Sequence, residues 1–522
     1  MRDRAAPSKG RNRVMEHRQS TLIGVYVVLQ ILFFSVIETA VADEIDVRQA
    51  QLFLDDGVIE SSTLVERVMH QPIRHPANPL LTPEEPWEGP TMNYLSGVFR
   101  DEESGLFRVF YVGVVNGGVP GMPKIFYPIC TATSKDGIRW QRPQLEHYAD
   151  LTGGPNNIVL HLDQGCIAAP SIIHEPEDKE APWKLLIHHS IKSPCHYYVR
   201  LATSRDGIHW EWKTTAKDAV YAKLHDRMTA MLDRSNPEFP YLLFGRPSLS
   251  ADYPLIYPGR INQREVFQTR LSRDGKKLSG TPTVTLRPDL EDPPEVEFYH
   301  MSAFRYESLY IGTLMIYRVE DPPSAEVQLV TSRDTQNWHR VRPRRAFIQG
   351  SFPTGRQQGV WDAAGVQPQL SPPLLHDGAL YFYYYGGPAF HGSRFMKGRF
   401  QLGLALLRPD GFASLKSTWR EGVITTKPFR WPGGQLVVNG QELGGSRTNQ
   451  AYLQVAVLDK DGQEIPGYEH SESDILAGDF PAGVPSWSDK PQNLDPLIGQ
   501  TIRLRFFLRQ AEIFSFRSVS PE

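Results

Sequence analysis

Five short segments place acidic residues just ahead of, or early in, strand-like runs: Trp87-Glu88, Asp163, His225-Asp226-Arg227, Glu295-x-Glu297-x-Tyr299-His300 and Trp361-Asp362. Carboxylates gathered at one mouth could hydrolyse a glycosidic bond: one protonates the leaving oxygen, a second attacks or activates water, and a third charge tunes their pKa values. Taken singly, each has an equally good structural explanation, because Asp and Glu before strands cap turns or pair with arginines. The case rests on the set. Around it stand side chains able to hold a sugar. Arg227 offers a fork to a hydroxyl or carboxylate, with Asp226 as the rival partner. Trp87, Trp361 and Tyr299 offer faces for stacking, against the more ordinary role of filling space between sheets. His300 and His391 offer ring nitrogens for sugar hydroxyls or a metal, although a lone histidine is more often neither. No metal site and no cofactor follow from the spacing.

These acids are scattered over some 280 positions, so they meet only if the backbone closes into a ring. A repeated mark supplies the ring. Thr133-Ser134-Lys135-Asp136-Gly137-Ile138-Arg139-Trp140 returns as Thr203-Ser204-Arg205-Asp206-Gly207-Ile208-His209-Trp210, and weaker forms contain Asp274-Gly275, Asp334 with Trp338, and Asp410-Gly411. Five marks 60 to 76 residues apart mean five units. Asp-Gly supplies the positive φ angles of a hairpin turn, and a tryptophan just beyond can pack on the neighbouring unit. Ahead of each mark comes a pair of strands: 94–99 with 106–114, 168–174 with 183–188, 228–232 with 241–244, 301–306 with 308–316, and 367–375 with 379–385. Four strands per unit, repeated radially, form a propeller. The expected fold class is therefore all-β, a five-bladed β-propeller followed by a C-terminal β-sandwich.

The sandwich is expected over 421–522, in strands at 422–426, 435–438, 452–458, 501–508 and 513–517 with turns at Asn439-Gly440 and Asp461-Gly462. Alternation puts Ile502, Leu504 and Phe506 on one buried face. The propeller occupies 43–420. Residues 1–42 read as a signal peptide: a basic leader, an apolar run over 22–37, and Ala40-Val41-Ala42 ahead of Asp43, which implies a secreted or periplasmic protein. An uncleaved anchor is the alternative, but the run is short of the roughly 20 residues a span needs.

With 56 lysines and arginines against 59 acids, the formal charge of -3 provides no general field for nucleic acid. No membrane contact is expected beyond the signal segment, and the oligomeric state is left open. Cys130, Cys166 and Cys195 are too few for a disulfide framework and lack thiolate-zinc spacing.

Residues 51–415 resemble the five-bladed clan of glycoside hydrolases that includes arabinanases, invertases and levansucrases, of the family 32 and 43 type. The resemblance lies in the Ser-x-Asp-Gly-x-x-Trp marks, in His75-Pro76-Ala77-Asn78-Pro79-Leu80 and in Tyr383-Tyr384-Tyr385-Gly386-Gly387. It implies a carbohydrate substrate and three carboxylates: a base or nucleophile from an early blade, a tuning aspartate and a glutamate as general acid. Asp226 is similar to the tuning aspartate and Glu297 to the acid. Where the clan carries its early-blade aspartate, this chain has Asn78-Pro79 and Trp87-Glu88-Gly89, so Asp362 or Glu88 stands as the remaining carboxylate. That departure leaves room for a carbohydrate-binding propeller without catalysis. A sialidase-like propeller fits less well, because its turns hold one more residue between Asp and Gly.

Overall fold

The computed structural model describes residues 45–520 apart from 117–124, 163–165, 191–196, 216, 223, 225–226, 247–263, 320–323, 352–359, 364, 389–399, 445–449 and 489–493. The leader, Asp163, Cys195, Asp226 and His391 fall outside the described residues. From Asp46 onward the chain is one compact unit, nearly all β-strand.

Five antiparallel sheets follow one another along the chain. The first runs from its inner strand Met92–Arg100 through Phe107–Gly113 and Ile129–Ser134 to Ile158–Leu160, and the second comprises Cys166–His174, Trp183–Ser190, Tyr197–Ser204 and Trp210–Trp212. The third is Thr229–Leu232, Tyr241–Gly245, Val266–Leu271 and Thr283–Leu286; the fourth is Val296–Tyr306, Leu309–Arg318, Ser324–Ser332 and His339–Arg340. The fifth comprises Gly365–Pro368, Ala379–Gly387 and Gln401–Leu407, and its outer strand comes from the other end of the sequence, Ile73–Arg74. This corrects the expectation that the mark at Asp410-Gly411 joins two strands of the fifth unit. It leads instead into Ala413–Ser417, which pairs with Val65–Met69 and Ala511–Val519.

The marks are built alike. Asp136 Oδ1 accepts the amides of Ile138 and Arg139, Asp206 Oδ1 those of Ile208 and His209, and Asp334 Oδ1 those of Gln336 and Asn337, all at 2.7 to 2.8 Å. In these turns only the residue after the aspartate takes a positive φ, 71° at Gly137 and 72° at Gly207, so the aspartate works through its side chain and not through its backbone, whereas at Asp410-Gly411 it is Asp410 itself, at 62°. In the fourth mark Thr335 replaces the glycine at φ 63°, and its hydroxyl donates to Asp233 while accepting from Arg270.

Each tryptophan of the marks packs on the preceding sheet. Trp210 meets Phe110 of the first, Trp338 meets Phe244 of the third, and Trp140 of the first meets Tyr383 of the fifth. Apolar clusters fill every junction, such as Leu186 and Leu201 with Leu243 and Phe267 between second and third. Another joins Val109 and Tyr111 of the first sheet to Tyr383 and Leu404 of the fifth, so contacts run round from the first sheet to the fifth and back. Burying each such side chain stabilises by about 1.5–3 kcal/mol. A cavity of ≈ 340 Å³ is lined by one stretch from each unit: Val98, Ile172, Ala230, Ala303 and Ser371 among them. Most of these are late positions of their strands, whereas Glu297 is the second residue of Val296–Tyr306.

The two ends of the chain share the remaining sheets. Gln51–Leu52 and Val65–Met69 join Ala413–Ser417, Gln435–Glu442, Asp479–Gly483 and Ala511–Val519, while Ile59–Thr63 joins Gly422–Thr426, Phe429–Arg430, Tyr452–Leu458 and Thr501–Arg509. A division at 420/421 therefore cuts through paired strands. Ile502, Leu504 and Phe506 are buried as their alternation requires. Asn439-Gly440 is not a turn; it is a slip of register within Gln435–Glu442.

Glu512 ties these strands together. Ser414 Oγ donates to it at 2.6 Å and accepts from His70 Nε2 at 2.8 Å, and Gln441 donates to its other oxygen. Burial alone would raise its pKa, but these hydrogen bonds outweigh that and hold the carboxyl below its ordinary value. A lowered folded-state pKa contributes stability that is present above the unfolded value, ~4.3, and lost as pH falls through the folded one. The gap in melting temperature between the wild type and Glu512→Gln is thus expected to be full near pH 6 and to close toward pH 3. Thermal melts across that range check it; a gap that widens on acidification refutes the role.

Candidate functional site

Glu297 is the second residue of the inner strand Val296–Tyr306, which begins five residues earlier than its sequence suggests. Val296 pairs with Arg318 and Glu297 with Tyr317, and the register then slips between Phe298 and His300. Tyr299 is the extra residue of that bulge, a device that re-aims side chains beside functional sites. The strand is moored to the third sheet at Arg264, whose carbonyl accepts the amide of Phe298 at 3.0 Å and whose Nη1 lies 2.5 Å from Glu297 Oε2.

Tyr299 is the hub. The guanidinium carbons of Arg227, Arg246 and Arg264 stand 5.2, 5.0 and 5.0 Å from its ring centroid, and Arg264 lies equally close to Tyr317. Arg227 Nη1 donates to Gln367 Oε1 at 2.7 Å, and Tyr385 donates to the same oxygen at 2.5 Å. Residues from the third, fourth and fifth sheets thus meet in one polar cluster. Burial raises the pKa of Tyr317, against the opposing pull of Arg264, and raises that of Tyr385 against Arg227, so both phenols stay neutral. His300 is buried beside Tyr299, their rings 6.2 Å apart.

Of the residues singled out from sequence, Arg227, Glu297, Tyr299 and His300 come together here. Asp226 adjoins Arg227 in the chain but lies outside the described residues, as does His391. Asp362 belongs to a second cluster. Its Oδ2 accepts from Arg74 Nε at 2.8 Å and from the Tyr384 hydroxyl at 3.0 Å, and its Oδ1 from Ser351 Oγ at 2.5 Å. Trp361 stacks on Tyr384, 5.6 Å between centroids. Gly386 explains part of the Tyr-Gly-Gly motif: a Cβ there would lie 2.5 Å from that of Asp362, so any side chain would push this carboxylate aside.

Trp87 and Glu88 form a third cluster. Glu88 has no exposed surface, and its oxygens accept from Arg142, from the Tyr111 hydroxyl and from the amides of Glu84 and Glu85. Burial works against ionisation, but these donors prevail and its pKa is lowered. Trp87 Nε1 donates to Asn157 at 2.7 Å. Every acceptor site of Glu88 is used internally, which marks it as an anchor of the first sheet and not as a group that touches a ligand.

Arg246 and Arg264 are absent from the sequence-based set. They stand just after Tyr241–Gly245 and just before Val266–Leu271, two strands that pair, and that symmetric placement was the available signal. Among the described residues no group of three His, Cys, Asp or Glu could hold a metal ion, and no helix is long and apolar enough to cross a membrane.

No protein-family model and no curated protein matches the chain. Solved structures similar to it include an N-acetylgalactosamine deacetylase from F. plautii in complex with blood group B trisaccharide, at 14% identity and a TM-score of 0.42 over 66% of this chain and 96% of that one. An α-L-arabinofuranosidase from Podospora anserina in complex with cellotriose is similar at 13% identity and TM-score 0.41, over 65% and 98%. A β-1,2-mannobiose phosphorylase from Listeria innocua is similar at 14% and 0.41, over 64% and 96%.

Proposed function

We propose that the five sheets are the blades of a five-bladed β-propeller, that the shared end sheets form a β-sandwich bracing it, and that the protein is an exported glycoside hydrolase. The observation that carries this reading is Glu297 at the start of an inner strand, bonded to Arg264, two residues from the Tyr299 ring that Arg227 and Arg264 face, where three sheets meet. Glu297 is assigned as the acid that protonates the leaving oxygen, while Asp226 or Asp362 serves as the second carboxylate that removes a proton from water. The glycosidic C–O bond breaks as the water oxygen bonds to the anomeric carbon, and the two protons end on the leaving sugar and on that carboxylate. Arg264 Nη1 lies 2.5 Å from Glu297 Oε2, so Glu297 reaches the leaving oxygen once Arg264 turns to another partner.

A glycan-binding propeller without turnover is favoured by one observation: Glu297, Asp362 and Glu88 each bond a guanidinium. A panel of polysaccharides incubated with the full chain separates the two readings. Release of new reducing ends from at least one polymer is expected; binding with no release in any case supports the module and overturns the hydrolase.

A further inference from the structure

The segment that leads from the third sheet to Glu297 is fastened by arginines at three alternate positions. Arg344 holds Asp289, Arg342 holds Glu291 and Arg340 holds Asp292, each through both carboxylate oxygens at 2.5 to 3.0 Å. The pairs run in opposite order along the two segments, as a short zipper. They are not equal in strength. Arg342 and Glu291 keep 63% and 52% of their side-chain exposure, where an ion pair is worth little, whereas Arg340 and Asp292 keep 6% and 5%. The buried pair resists separation, because removing one partner leaves the other charged and desolvated.

Arg340 reaches both sides of the proposed acid. Asp292 lies five residues before Glu297, and the same guanidinium stands 5.2 Å from the ring of Phe298, the residue after it. Its Nη2 donates to Gln328 Oε1 at 2.6 Å, and Gln328 donates to Glu326 at 2.7 Å, so the clamp is anchored on the strand Ser324–Ser332 of the same sheet. The ladder by itself holds this strand end loosely: three residues, Val296 to Phe298, are paired ahead of the slip in register. We infer that Arg340 is a positioning residue: by gripping Asp292 and covering Phe298 it sets where the Glu297 carboxyl stands, an inference that rests on the reading of Glu297 as the acid. Placement governs rate, since a displacement of about 1 Å costs on the order of 100-fold.

The test compares the full chain with Asp292→Asn, Arg340→Lys and, as a control on the exposed pair, Arg342→Gln. Rates are measured across pH on the polymer that the panel identifies, with melting curves and hydrogen exchange of peptides covering 296–306 on the same samples. Asp292→Asn is expected to lower kcat about 10–100-fold with KM level, to move the basic limb of the kcat–pH profile, which reports the acid, and to speed exchange at 296–299. Arg340→Lys keeps the charge but not the fork that also reaches Gln328, and is expected to fall between. Arg342→Gln is expected to match the wild type throughout. A partly unfolded sample lowers kcat but leaves the basic limb in place, so a rate loss with an unmoved limb overturns the inference. So does a wild-type kcat in Asp292→Asn, or an equal loss in Arg342→Gln. The two proposals fail separately. An impaired Glu297→Gln beside an unimpaired Asp292→Asn removes only the positioning role, whereas a polymer bound and never cleaved removes the hydrolase. Exchange then decides the placement: rates at 296–299 unchanged in Asp292→Asn overturn that as well.

Discussion

Glu297→Gln is expected to lower turnover by about 10²–10⁴-fold, the usual worth of a positioned proton donor, with little change in melting temperature. The amide has the volume of the acid and can still accept from Arg264, so the strand beginning at Val296 keeps its mooring. What disappears is the ability to hold and release a proton at Oε2. Because the substituted atom also forfeits its charge, Arg264 is freer to meet an incoming group, and KM is expected to stay level or fall. Steady-state kinetics on whichever polymer the panel identifies, with a melting curve of the same sample, provide the check. An unaltered kcat disposes of the catalytic assignment whatever the fold.

Glu88→Ala is expected to do the opposite, costing about 3–5 kcal/mol of stability because it removes the buried partner of Arg142 and leaves that guanidinium only the exposed Glu84 and the Thr82 carbonyl. Arg142 keeps only 13% of its side-chain exposure, and it bonds both oxygens of Glu88. The Tyr111 hydroxyl and the amides of Glu84 and Glu85 also lose their acceptor at a position with no exposed surface. Denaturant titration followed by tryptophan fluorescence measures the loss, since Trp87 sits one residue away and is tied to Asn157. A change below about 1 kcal/mol, the ordinary effect of a surface substitution, would show that the network is redundant. Together the two variants separate carboxylates that look alike in sequence: one is expected to govern chemistry and the other to hold the first sheet in place.

The comparison of Glu297 with Asp362 makes the same point from the other side. Asp362 is bonded by Arg74, 288 residues away, and through it the strand Ile73–Arg74 is fastened to the sheet it completes. Its three donors make it as much a closure of the fold as a reactive group, so a rate loss in Asp362→Asn counts as catalytic only when the melting curve is unchanged.

How much of this was legible depended on the range of the interactions. The aspartate turns, the tryptophans after them and the alternation at Ile502, Leu504 and Phe506 were readable because each is decided within a few residues, by turn hydrogen bonds or by the two-residue period of a strand. Five units, an all-β chain and the placement of Glu297 near the start of an inner strand followed from those local rules. Tertiary structure alone decided which end of the chain completes the fifth sheet, why 51–69 pair with strands near the C-terminus, and which guanidinium each acid meets. The partners of Glu297, Glu88 and Asp362 lie 33, 54 and 288 residues away, and no short-range preference selects among the many arginines of the chain. Whether a carboxylate is free to react or locked in a network is settled by burial and by the charge placed beside it, and both arise only when distant strands are brought side by side.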